Sequence, residues 1–80
     1  MTGKNRLPQV SADEVIRALA KIGFHETRTA GIHAQLRKDG HKFIITVPRH
    51  GQASIKNGTL MAILRGAGIS REQFIKLLDR

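Results

Sequence analysis

Between residues 31 and 37 apolar and polar side chains alternate without a break: Ile32, Ala34 and Leu36 fall on one parity, His33, Gln35 and Arg37 on the other. Successive strand residues face opposite sides of a sheet, so this stretch reads as a strand with one buried and one open face. A lone half-buried strand is not stable; it needs neighbours and a cover. The neighbours lie on either side. Residues 42–47, Lys-Phe-Ile-Ile-Thr-Val, are rich in β-branched and aromatic types and stop at Pro48, which cannot donate to a ladder. Asp39-Gly40 between the two runs reads as a tight hairpin. Upstream, residues 24–28 form a weaker strand and Thr29-Ala30-Gly31 a turn, which completes a three-stranded antiparallel meander.

The cover comes from three helical patterns. Ser11 and Glu14 fit a capping box, and Val15, Ala18, Leu19 and Ile22 follow the spacing of a buried helical stripe that Gly23 ends. Thr59 is placed to cap a second helix carrying Leu60, Ile63, Leu64 and Ala67, with Gly66 and Gly68 weakening and closing it. Ser70 and Gln73 form another capping box, opening a short helix whose Phe74, Leu77 and Leu78 face inward. The order is α-β-β-β-α-α. Helices flanking a meander cover one sheet face and leave the other open, an α+β two-layer domain. The three phenylalanines, Phe24, Phe43 and Phe74, occupy apolar positions and are expected in the core. Residues 1–10 are basic and without periodicity, a flexible lead-in to a single domain over residues 11–80.

Composition narrows the function. Eighty residues support one modest core. The absence of cysteine excludes disulfides, thiol nucleophiles and cysteine zinc sites. No apolar run approaches the ~18–20 residues of a membrane span, and no secretory h-region opens the chain, so no membrane association and a cytoplasmic location are expected. The formal net charge is +8, which favours polyanions. It is unevenly spread: between residues 27 and 71 the only acid is Asp39, against Arg28, Arg37, Lys38, Lys42, Arg49, Lys56, Arg65 and Arg71. A histidine beside an arginine on an open, basic strand face points to phosphate chemistry on RNA. His25 and His41 flank strands and read as solvated, and His50 as a substrate contact. The four histidines lack the close pairing and neighbouring carboxylates of a metal site, so neither metal nor other cofactor is expected.

Four segments, in this order and at these separations, carry a family likeness. They are Glu14-Val15-Ile16-Arg17-Ala18-Leu19 with Gly23-Phe24, then Gly31-Ile32-His33, then Val47-Pro48-Arg49-His50. The fourth is Ile55-Lys56-Asn57-Gly58-Thr59-Leu60, continuing through Ile63-Leu64-Arg65-Gly66-Ala67-Gly68-Ile69. Together they resemble the HicA family of small toxin ribonucleases, the RNA-cleaving half of HicA–HicB toxin–antitoxin pairs. The resemblance implies a fold like a double-stranded-RNA-binding domain, cleavage of mRNA with inhibition of translation, and neutralisation by a HicB-like antitoxin covering the His33 face. It also makes His33 the catalytic residue, since it falls at the histidine of the family's Gly-Ser-His motif. Ile32 stands where that motif has serine, and Ala34 where many members have a second histidine. A moderate effect of Ile32 on activity is expected, because it lies across the strand from His33.

RNA carries its own nucleophile. Removing the 2′-hydroxyl proton lets that oxygen attack the adjacent phosphorus, and an imidazole, with an ordinary pKa of ~6.5, is suited to this at neutral pH. One imidazole cannot also protonate the leaving 5′-oxygen at the same instant. Cations near the phosphate stabilise charge on its oxygens; Arg37 is the nearest by strand pattern, with Lys42 and Lys56 as further sources. Arg28, Arg37, Lys42, Arg49, His50 and Lys56 are the expected RNA contacts, positioning the backbone without reading sequence. Two other readings use the same basic face: a non-catalytic RNA- or DNA-binding module, and a ribosome-associated basic protein.

Overall fold

The computed structural model describes residues 7–78. Its elements run α1 (Ala12–Ala20), β1 (His25–Ala30), β2 (His33–Arg37), β3 (Ile45–Pro48), α2 (Asn57–Ala67) and α3 (Arg71–Leu78). This is the expected α-β-β-β-α-α order of a small α+β domain like a double-stranded-RNA-binding domain. The strands form one antiparallel sheet ordered β1-β2-β3. The helices share one face of it. Leu36, Ile45 and Val47 from the sheet join Val15, Leu19, Leu60, Leu64 and Phe74 from the helices in one core, each at most 3% exposed. Val10 is buried too, and its carbonyl accepts the Ile55 N–H at 2.8 Å. The folded body therefore starts before residue 11; residues 1–6 of the expected lead-in lie outside the described residues.

Both expected capping boxes form. Ser11 Oγ accepts the Glu14 N–H at 3.3 Å while Glu14 Oε1 accepts the Ser11 N–H at 3.0 Å. Ser70 and Gln73 repeat the exchange at 3.1 and 2.8 Å. Each satisfies two otherwise orphaned helix donors. Thr59, however, does not cap α2. The helix begins two residues earlier, with Lys56 at the N-cap and no side-chain bond there. Ile55, buried at 8%, ties the preceding residue to the core, so tertiary packing rather than a capping hydroxyl sets where α2 starts.

The strand ends differ from the pattern reading in two places. β1 extends to Ala30, which pairs with His33, so the turn is the two-residue Gly31-Ile32. Gly31 has φ +60, as primed hairpin turns require at their first loop residue. Ile32 thus sits in the turn and is 43% exposed rather than buried with Ala34 and Leu36. At the other end β3 starts only at Ile45, opposite Leu36. Asp39-Gly40 does turn the chain, with the His41 N–H donating to the Lys38 carbonyl at 3.0 Å, but residues 42–44 leave the ladder.

His41 is the cause. Its Nε2 lies 2.8 Å from the Gly66 carbonyl, one of the last carbonyls of α2 and without a helical partner. A carbonyl only accepts, so Nε2 carries the proton. The ring also meets Phe24 edge-on at 5.1 Å between centroids. This draws the loop toward α2. His41, expected to be solvated, is a half-buried anchor. Phe43, expected in the core, is carried outward to 61% exposure, with Ile44 beside it at 44%.

Candidate nucleic-acid interface

Along β2, Ala34 and Leu36 are fully buried, while His33 and Arg37 are exposed on the side the helices leave open. Residues paired across strands share a face. His33 is opposite Ala30 and Pro48, Gln35 opposite Arg28, and Arg37 opposite His25. The open face therefore gathers His33, Gln35, Arg37, Arg28 and His25. Arg28 is the diagonal neighbour of His33, about 7–8 Å away. Arg37 is two pleats along the strand, about 13 Å. By backbone position Arg28, on the adjoining strand, is thus closer to His33 than Arg37 is.

A bulge puts Arg28 there. The pairing register shifts between Glu26 and Arg28; Thr27 is the extra residue, its hydroxyl donating to the Gln35 carbonyl at 3.4 Å. Continued from the His25–Arg37 pair without a shift, the register would set Arg28 opposite Ala34 and turn it toward the helices. One inserted residue reverses that. Neither the bulge nor the placing of His25 opposite Arg37 has a visible signal in so polar a strand.

The other expected contacts are placed differently. The Arg49 guanidinium is held by two carboxylates. Its Nε donates to Asp13 Oδ1, and its Nη1 and Nη2 donate to the two oxygens of Glu26, all at 3.2 Å. The Thr29 hydroxyl donates to Glu26 as well. The Thr29 hydroxyl, first, and the Arg49 fork hold the Glu26 carboxyl below its ordinary value of 4.5, and Glu26 in turn raises the Arg49 guanidinium. The Arg49 N–H donates to the Ile32 carbonyl at 2.6 Å, which fixes the turn immediately before His33. His50, exposed, follows two residues after Pro48, so its loop leaves the sheet at the His33 end. Lys42 is in the loop beyond the opposite end of β2, and Lys56 at the start of α2.

The arrangement suits a polymer. Two imidazoles and two guanidiniums stand on an uncovered sheet face, where a phosphate backbone can lie across them and be held without enclosure. Among the described residues no three His, Asp or Glu side chains come together in a group that could hold a metal ion. No described helix is long and apolar enough to cross a membrane.

Three comparisons with known proteins bear on this site. Residues 12–69 match the family described as HicA toxin of bacterial toxin–antitoxin. Among solved structures, a chain of a toxin–antitoxin complex from Streptococcus pneumoniae superposes with a TM-score of 0.60 at 25% identity, over 78% of this chain and 100% of that one. No curated protein matches in sequence.

Proposed function

The chain belongs to the HicA toxin family, and from that membership we propose that it is a metal-independent endoribonuclease acting on mRNA in the cytoplasm, held inactive by a HicB-like antitoxin that covers the His33 face. His33 takes the proton from a 2′-hydroxyl. That oxygen attacks the adjacent phosphorus, the 5′-oxygen leaves and is protonated from solvent or a second acid, and a 2′,3′-cyclic phosphate is the first product. Arg28 stabilises charge on the non-bridging oxygens; Arg37, Lys42, His50 and Lys56 position the rest of the strand. Arg49, engaged by Asp13 and Glu26, contributes through the turn it holds. With Phe43 the one exposed aromatic and away from His33, selectivity among bases is weak.

The observation that carries this reading is the exposed His33 at the centre strand's open face with Arg28 diagonal to it. Incubation of the chain and of His33→Ala with single-stranded RNA in EDTA tests it. We expect the variant to lose about 10²–10⁴-fold in rate with its fold intact, and a substrate lacking the 2′-hydroxyl to resist cleavage. Equal cutting of the deoxy substrate would sink the mechanism. The substitution of Ile32 for the motif's serine favours one alternative, a binding module with a relic site. If neither protein cuts but both bind RNA, that reading stands, and Ile32→Ser is the variant to make next.

A further inference from the structure

The sheet has two free edges, and they are not equivalent. The Arg49 N–H to Ile32 carbonyl bond fixes which β2–β3 pairs are hydrogen-bonded. Bonded and non-bonded pairs alternate in an antiparallel ladder. Counting from that bond, Ala34–Val47 and Leu36–Ile45 are bonded pairs, and His33–Pro48 and Gln35–Thr46 are not. The backbone groups of Thr46 and Pro48 therefore turn away from β2. Pro48 has no N–H to leave unpaired there, while Thr46 offers both a donor and an acceptor. No strand lies beyond β3 among the described residues. The opposite edge, β1, is blunted by its bulge and wholly polar apart from Ala30, both devices that discourage strand addition. The β3 edge lacks the bulge.

Alongside that edge runs a groove of about 170 Å³ between β3 and α2, lined by Ile44, Thr46, Thr59, Ala62, Ile63 and Gly66. The small residues Ala62 and Gly66 keep it open, and exposed Phe43 and Ile44 lead into it. The segments that build it carry one sign: residues 40–71 contain no acid, and Lys42, two residues before Ile44, and Lys56, at the N-cap of α2, are exposed. A second copy of this chain would bring the same cations to the same edge. An RNA strand would find no charged side chain in the groove's lining.

We propose that the outer edge of β3 and the β3–α2 groove receive an extended, acidic strand of the antitoxin, which joins the sheet through the Thr46 backbone and packs apolar side chains against Ile44 and Ala62. This rests on the reading of the chain as a toxin with a protein antitoxin, and it adds a second anchoring surface to the His33 face. Strand addition of this kind takes its affinity from main-chain bonds and its specificity from alternate side chains.

The test uses the full chain and the product of the reading frame adjacent to its gene, the antitoxin that the proposed function calls for. Thr46→Pro removes the outward N–H without touching the β2–β3 ladder, because that N–H is not in it. Ala62→Glu, at an exposed helix position, fills and charges the groove. Each is expected to weaken antitoxin binding about tenfold or more, and Ala62→Glu, on α2 and away from the open sheet face, leaves RNA cleavage by the free chain unchanged. Amide exchange at Thr46 should slow in the complex and not in the free chain. Wild-type affinity in both variants, or a Thr46 amide exchanging in the complex as it does free, overturns the proposal. So does Thr46 protection in the chain alone with self-association by sedimentation. Should Thr46→Pro fail to fold, Ala62→Glu and the exchange measurement decide. Absence of RNA cleavage by the parent chain would count against the ribonuclease and leave this interface to stand or fall on binding.

Discussion

Strand β2 is turned back at both ends, and the two returns are built differently. At the His33 end the chain reverses in two residues, and the reversal is fastened by the Arg49 N–H on Ile32 and by the Arg49 fork on Glu26 and Asp13. At the Arg37 end it takes residues 38–44, and the fastening is one histidine reaching across to α2. The first return is short and polar, built on a glycine and on ion pairs to Glu26 and Asp13. The second is longer and half-buried, built on ring contacts and a carbonyl left over at the end of α2. The difference separates two tasks: the short return holds the turn before His33 still, and the long one frees Phe43 and Ile44 to face outward beside the β3 edge.

The sharpest way to break this contrast is His41→Ala. It leaves the Gly66 carbonyl without its donor, about 1–3 kcal/mol, and removes edge-on ring contacts with Phe24 and Phe43, at 5.1 and 6.1 Å between centroids, worth about 0.5–1.5 kcal/mol. We expect a loss of about 2–4 kcal/mol in urea unfolding, with RNA cleavage per folded molecule unchanged. A loss under 0.5 kcal/mol, the ordinary size of a surface substitution, would show that the long return holds itself and that His41 merely rests there.

At the short return, Gly31→Ala is the corresponding change. A Cβ at Gly31 meets nothing within 4 Å, so no clash contributes, but its φ of +60 disfavours any side chain. The expected cost is about 1 kcal/mol or somewhat more, smaller than for His41. Here, however, the role proposed for His33 requires cleavage to fall along with stability, because His33 lies two residues away and small displacements at a reacting group are costly. Stability and cleavage measured on the same samples distinguish the two ends. If Gly31→Ala loses stability alone, the short return does not position His33.

Separation along the chain explains what could be read from the sequence. Capping boxes, the αL glycine that closes α2, the alternation of Ala34 and Leu36 against His33 and Arg37, and the element order are local patterns, and they were legible. So was the open face, since it follows from alternation and from helices flanking a meander. The misplacements share another cause. His41 took its role from a carbonyl 25 residues away, and with that anchor it carried Phe43 out of the core and shortened β3. The start of α2 depended on Ile55 meeting Val10. Arg28 reached the open face through a bulge in a strand with no apolar period to fix its register. Arg49 looked like one more basic residue until Glu26 and Asp13, 23 and 36 positions away, closed on it. Local chemistry set the elements, and pairs distant in sequence set which side chains were left for the site.

The smallest expected effect concerns the Arg49 clasp itself, and its pH dependence has a definite sign. Thr29 and Arg49 lower the Glu26 carboxyl below its ordinary 4.5 in the folded chain. A group whose folded value is depressed contributes stability that is fully present above its unfolded value and is lost as pH falls through the folded one. Melting of the parent and of Glu26→Gln should therefore differ by a constant, small margin at neutral pH, and the margin should shrink below about pH 4.5. Because these side chains are exposed, added salt at pH 7 should narrow it as well. The His41→Ala margin, which comes from a hydrogen bond to a carbonyl and from ring packing, should be little altered by the same salt. A Glu26→Gln margin that persists unchanged through acid and salt would mean that neutral hydrogen bonds to Thr29 and Arg49 do the fastening. The two returns of β2 would then differ in length and burial, but not in the kind of force that closes them.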